Sequence, residues 1–574
     1  MGLKHSGKLL IRFGDAPAAL PGFAALIATP HPAFAGFSLT PLFADASQMP
    51  ALHAQTFAAT PSAGLAQRWA IARPLGGPAP ANAWDHAHEA AAQAGYQHYV
   101  EPDILHEGRG PNRFTPLAAP VAAATGAALV TDTSTFSSHW PPTPMETAGP
   151  GWHLQTGYTD FAGAHASGVT GTGIRIAHLD TGYDDAHPSK PRRLLVASAR
   201  DFTVDPPANK AIDPGTTLPF QNPGHGTATL AVVAGARLTL TLNRPTGPPL
   251  TFTGDIGGAP DADVVPVRIS ESVIHVYTST MAQGLDYALQ SGCDVVTLSH
   301  GGVPTRAWAA AVNRLYDGGV VVAAASGDSF YYKVITLATH FTVYPSAFNR
   351  VITVCGATFD RTPYVTSDFA QMQGCWGPET VMEKAVSAYT PNIAWMQMGG
   401  GYTMGGSGTS ASTPQVAAAC ALWLQLNAAS YPTKDWRRVE ACRLALFASA
   451  ADNAKDRTHL GWGVLSATAM LDKARAARIL ASVQAGHVRM RPEDSVSFPL
   501  FRLIFGQGPP DSEENRMYET EVAQVALSST NADLVSLAQH AIQGGLQPDE
   551  VETARQMLLA EDVSQPLRRA LVAA

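Results

Sequence analysis

Four runs in the middle of the chain, Ile174–Asp180, Asp294–Ser299, Gly319–Gly327 and Arg350–Ala357, are apolar on both faces and are bounded by Gly and polar residues. Helical stretches separate them. A strand with one wet face alternates polar and apolar residues, whereas a run apolar throughout suits a strand covered by helices on both sides. Residues 150–476 therefore predict an α/β domain with a mainly parallel sheet. Within it, Arg237–Leu242 and Leu250–Thr253, joined across Asn243–Pro249, predict an inserted hairpin.

The flanks read differently. Residues 1–105 mix strand-like runs (Lys8–Phe13, Arg68–Ala72, His98–Pro102) with an Ala-rich helical stretch, Ala83–Tyr96, and predict a small α+β domain. Residues 106–149 are rich in Pro, Thr, Ala and Gly, as in a linker or exposed loop. Residues 477–574 predict a helical C-terminal region: Leu534, Leu537, Ala538, Ala541 and Ile542 share one helical face, and Val551, Ala554, Met557 and Leu558 share another beyond Gly544–Gly545.

At 574 residues the chain exceeds one ordinary core, so two or three domains are expected. The net charge of −8 is dispersed, which argues against nucleic acid or an anionic membrane as a partner. Cys293, Cys355, Cys375, Cys420 and Cys442 are odd in number, lack close pairing and lie in apolar or Gly-rich segments, so buried free thiols are expected. Arg12 and Asp15 interrupt the start before a secretory core can form, and no apolar stretch is long enough to span a bilayer. A soluble, cytoplasmic protein is the expectation, or a secreted one if a leader is missing. Met1–Gly2 with Ser6 fits the loose myristoylation pattern, but nothing supplies a second anchor.

Three segments pair a reactive side chain with small neighbours. Ile174–Asp180 ends in a carboxylate followed by Thr181 and Gly182, at the strand edge where parallel sheets place their sites. Gly224-His225-Gly226-Thr227 sets an imidazole between glycines as a helix begins, free to act as a general base. His178 and His187 compete for that role, but the first reads as a core residue and the second as a loop residue. Gly406-Ser407-Gly408-Thr409-Ser410 opens a long apolar helix, where the Ser410 hydroxyl is either an exposed nucleophile, its own amide facing an oxyanion, or merely a helix cap.

The order Asp180, His225, Ser410, with AspThrGly, HisGlyThr and GlyThrSer around them, resembles the subtilisin-like serine proteases. Gly257–Arg268, Leu298–Gly302, Tyr344–Ala357 and Gly461–Ala467 extend the resemblance from about Trp152 to Arg475. It implies a catalytic triad: Ser410 as nucleophile, His225 as general base and then acid, Asp180 orienting the imidazole. It implies a peptide cleft with Ser299, Gly301 and Gly302 on one wall and Ala324, Ala325, Ser326 and Gly327 on the other. The expected activity is endopeptidase cleavage of protein or peptide substrates through an acyl-enzyme, with no cofactor. Calcium often stabilises the family, but no run of acidic ligands stands out and no metal is assigned. His98–Ile104 resembles the last strand of a subtilisin propeptide, implying a zymogen whose own N-terminal domain inhibits the cleft.

One position departs from the pattern. Where most of the family has an Asn oxyanion donor, this chain has Asp328, which can donate only when protonated. Sedolisins carry Asp there but replace the His with Glu, and HisGlyThr is intact here. Asp328 also leaves open a pseudo-protease that only holds peptides, and the scaffold allows a peptide ligase or macrocyclase.

Overall fold

The computed structural model describes residues 3–14, 27, 32–44, 68–77, 80–107, 128–136, 149–215, 222–330, 341–366, 372–450, 456–486, 488–493, 499–506, 508, 510–543 and 545–574. Seven parallel strands form the central sheet in the spatial order Ala385–Tyr389, Ile352–Ala357, Val321–Ala325, Val295–Leu298, Arg175–Asp180, Asp263–Arg268 and Arg200–Asp201. The doubly apolar runs are accounted for by what lies above and below. Val296, Leu298, Val322 and Ala324 face a core closed by helices Thr278–Gln290 and Arg306–Asp317, while Val295, Val321 and Ala323 face one closed by His225–Ala234, Thr409–Asn427 and Trp436–Ser449. Arg175–Asp180 has later strands on either side, so the carboxyl ends of it and its neighbours open on a topological switch point.

The inserted hairpin is present, with Arg237–Asn243 antiparallel to Leu250–Asp255. It has a third member. Ala128–Asp132, expected within a linker, runs parallel to Arg237–Asn243 and turns Leu129 and Thr131 inward. Residues 108–127 and 137–148 of that expected linker lie outside the described residues.

Four N-terminal strands, His5–Arg12, Phe37–Pro41, Trp69–Pro74 and Tyr99–Glu107, form an antiparallel sheet backed by helix Ala83–Gln93. Asn82 caps that helix by accepting from the amides of Trp84 and Asp85. Tyr99–Glu107 runs past the expected boundary at 105, because Leu105, His106 and Glu107 pair with His275–Tyr277, a short strand of the central domain.

The C-terminal region is helical, but it is no simple appendage. Its first helix, Lys473–Gln484, buries Ile479 and Val483 in the same core as Trp436–Ser449. Glu513–Ser528 buries Met517, Val522 and Ala526 in one core with Leu9, Trp69 and Trp84 of the N-terminal strands and helix and Trp308 of the central domain. The expected faces bury Leu534, Ala538, Ala541, Ala554 and Leu558, while Gly544 lies outside the described residues. All five cysteines are buried and unbridged. No described helix is long and apolar enough to cross a membrane.

Candidate active site

Asp180 is the last residue of its strand and is 1% exposed. Its Oδ1 accepts from His225 Nδ1 at 2.7 Å and from the Thr181 amide at 2.7 Å, and its Oδ2 accepts from the Thr229 hydroxyl at 3.0 Å. Burial works to raise this carboxyl's pKa, but the charges of His225 and His300 and the His225 hydrogen bond outweigh it and hold Asp180 well below the usual range. The carboxylate is thus an anion that fixes the imidazole by Nδ1. Among the described residues, Nε2 of His225 has no hydrogen-bond partner.

The motif glycines are required by contact. A Cβ on Gly226 would lie 1.9 Å from the Gly182 carbonyl oxygen, and Gly182 itself has φ 103°. Thr181 and Asp213 join the two motifs: the Thr181 hydroxyl accepts from the Gly226 amide at 3.1 Å, and Asp213 accepts from Thr181 at 3.3 Å and from the Gly224 amide at 2.9 Å.

Ser410 is the second residue of Thr409–Asn427 and is 8% exposed. Pro414, four residues on, has no N–H to give the Ser410 carbonyl. The hydroxyl of Ser299 donates to that carbonyl instead, at 3.3 Å, so the wall strand Val295–Leu298 is tied to the first turn of the helix.

Asp328 follows the strand Val321–Ala325 and is held by the same turn: its Oδ1 accepts from the Thr409 amide at 2.8 Å. Burial raises its pKa to about 6 against the opposing pull of the Thr409 hydrogen bonds. With Oδ1 engaged, Oδ2 is the oxygen left to carry a proton.

The subsite residues divide. Ser299, Gly301, Ala325 and Gly327 lie at the carboxyl ends of adjacent strands. Gly302, expected on the cleft wall, exchanges both backbone hydrogen bonds with Tyr344, at 2.8 and 2.9 Å, so its backbone is not free to pair with an extended peptide. Ala324 is fully buried on the core face and its carbonyl accepts from Ser346, which removes it from the cleft wall. The backbone of Ser326 is likewise committed, to Val354 and Val343.

His178 is a core residue, 2.8 Å from the Thr229 hydroxyl, and burial lowers its pKa to about 4. Thr229 accepts from its Nε2 and donates to Asp180. His187 packs in a loop against the Gly401 carbonyl at 3.0 Å. Sequence reasoning missed Thr229, although its spacing of four from His225 puts the two on one helical face. It also missed His300, which lies between Ser299 and Gly301 with its ring 5.8 Å from that of His225, and Trp395, 5.6 Å from His225 on the hairpin Ile393–Gly406. His300 Nε2 bonds the Ser270 hydroxyl at 2.7 Å, and burial lowers its pKa to about 4.

The model of the subtilase family, peptidase S8, matches residues 171–463, just over half of the chain. The chain belongs to the subtilase family. An intracellular serine protease of Paenibacillus polymyxa is 30% identical to this subtilase over 265 residues, 46% of this chain and 69% of that protein. Subtilisin E of Bacillus subtilis (strain 168) is 27% identical over 263 residues, 45% of this chain and 58% of that one. Among solved structures, the one titled "Structure of Prenylagaramide maturation protease PagA" aligns with a TM-score of 0.40 and 19% identity, covering 55% of this chain and 98% of that chain. This subtilase is a hydrolase of the serine protease class.

Proposed function

We propose that this subtilase is a serine endopeptidase in which Ser410, His225 and Asp180 form the catalytic triad and the N-terminal domain inhibits its own cleft. The observation that carries the reading is the buried Asp180–His225 pair, fixed through Nδ1 with Nε2 unpartnered among the described residues; Ser410 in the first turn of its helix is assigned as the nucleophile that this imidazole serves.

In this mechanism the Ser410 hydroxyl attacks the substrate carbonyl carbon while His225 takes its proton. The tetrahedral oxyanion is met by the Ser410 amide and by protonated Asp328. The C–N bond then breaks, His225 gives its proton to the departing amine, and water repeats the sequence to release the acid and restore Ser410. Asp180 stabilises the imidazolium without taking its proton. The Asp in place of the usual Asn is the sedolisin-like element of the site, and it makes turnover rise as Asp328 gains its proton. No cofactor enters any step.

The inhibitory role rests on the strand Tyr99–Glu107, which pairs with His275–Tyr277 and brings His106 against Gly302. An extended segment laid between those elements occupies the place where substrate would add as a strand.

Intact mass after fluorophosphonate treatment, compared with Ser410→Ala across pH, tests the reading. One adduct on the wild type and none on the variant is expected, forming faster once the N-terminal domain has been displaced from the cleft. No adduct at any pH on an open cleft would make the chain a peptide-holding pseudo-protease, and adduct formation with products that gain no water would make it a ligase.

A further inference from the structure

The strand Tyr99–Glu107 presents one side chain to a complete environment. His106 is 4% exposed, and its ring stacks on Trp308 with centroids 4.1 Å apart and a 32° tilt. Its Nε2 lies 2.9 Å from the hydroxyl of Thr278, which has the Ile104 carbonyl at 3.4 Å as its own acceptor. Thr278 therefore accepts from an Nε2–H, and the imidazole is the neutral tautomer with its proton there. Trp308 is held in turn, its indole N–H donating to the Thr278 carbonyl at 2.9 Å. The third side is Gly302: a Cβ there would meet Nδ1, Cβ and Cγ of His106 at 2.4, 2.6 and 2.6 Å, and no other residue is as near.

We infer that Trp308, Thr278 and Gly302 form a subsite of the cleft that selects a histidine side chain of the substrate, occupied in this structure by His106. The inference rests on the endopeptidase reading above and adds the residue class that the enzyme favours. An aliphatic side chain would fill the space but leave the Thr278 hydroxyl without its donor, a phenyl ring would stack without that bond, and a lysine or carboxylate would be buried beside the indole with no counter-charge. The pocket walls belong to the central domain, in helices Thr278–Gln290 and Arg306–Asp317 and beside the wall strand, so they outlast any removal of the N-terminal strand.

The test is digestion of a randomised peptide library by the full chain, with cuts located by mass spectrometry. Histidine is expected about five- to tenfold enriched at one fixed distance on the N-terminal side of the cut, the worth of one hydrogen bond and a stacked ring. Thr278→Val, which keeps the shape and removes the hydroxyl, is expected to reduce the enrichment severalfold, and Gly302→Ala, which fills the pocket, to abolish it. Cuts without histidine enrichment, or enrichment that survives both substitutions, overturn the subsite. Labelling of Ser410 by fluorophosphonate with no peptide cut also overturns it, since the pocket then serves only the chain's own strand. Neither labelling nor cutting overturns the protease reading beneath it. His106→Leu, which alters the occupant alone, gives an independent measure: labelling of Ser410 should quicken about fivefold, and an unchanged rate counts against the pocket.

Discussion

The side chain that sets this site apart is Asp328. Its carboxyl has a folded pKa raised to about 6 by burial, so the donor form is present below that pH and is lost as pH rises through it. Turnover is therefore expected to climb as pH falls towards 6, and Asp328→Asn, a permanent donor, is expected to raise turnover at about pH 7 about tenfold, because only about a tenth of Asp328 carries its proton there, and to flatten that limb. A rate profile that the substitution leaves unchanged would remove Asp328 from the oxyanion site. Thr229→Val should lower kcat about tenfold with KM unchanged, because one hydrogen bond to a buried carboxylate is lost while the cleft is untouched. Equal losses in both parameters would point to a folding defect instead. The Asp180–His225 pair was legible because both residues stand among neighbours whose smallness has a local reason. Thr229, Asp213 and His300 were not, since their roles exist only after strands distant in sequence have been brought side by side.

Elements explain why those side chains keep their places. The doubly apolar runs betrayed the sheet because helices cover both of its faces, a property written in each run separately. Ala128–Asp132 could not be read as a strand, since its partner Arg237–Asn243 lies more than a hundred residues away and nothing inside the short run separates it from a connector. The two-motif contact at Gly226 is tighter than any cap: Gly226→Ala, forcing a Cβ against the Gly182 carbonyl, should cost about 3 kcal/mol and displace His225 from Asp180. Urea denaturation and Ser410 labelling measure the two effects together, and a stable, fully labelled variant would show that the turn can yield.

Across the whole molecule, the N-terminal strands, the central domain and the C-terminal helices share one core and one buried polar network. Arg306 lies 2.7 Å from Glu519, Glu101 accepts from the amides of Arg306 and Ala307 at 3.1 and 2.9 Å, and Tyr99 bridges Glu101 and Thr520 at 2.8 and 3.1 Å. His88 meets Glu521 at 3.0 Å, and Glu521 accepts from Ser564. None of this was legible in the sequence, where both flanks read as separate small units, because each hides its apolar face against the other. Glu519→Ala removes the carboxylate from a buried Arg306 and should destabilise the fold by about 3–5 kcal/mol, read as a shift in the denaturation midpoint. A nick between residues 108 and 127 should leave the N-terminal fragment bound through gel filtration, and Glu519→Ala should let it go. Free release from the wild type would mean that the shared core holds less than its burial suggests.

That shared core also sets an order of events during synthesis. Arg12 and Glu513, which close the sheet against its covering helix, are separated by 501 residues. At ordinary elongation rates of about 5–20 residues per second, the first strands emerge roughly 25–100 s before the helix that covers them. Through that interval the ribosome-bound chain carries Leu10, Trp69 and Trp84 without their last wall, and loops of that length close slowly. The nascent chain thus holds an apolar sheet face open to solvent until the helix Glu513–Ser528 has been made.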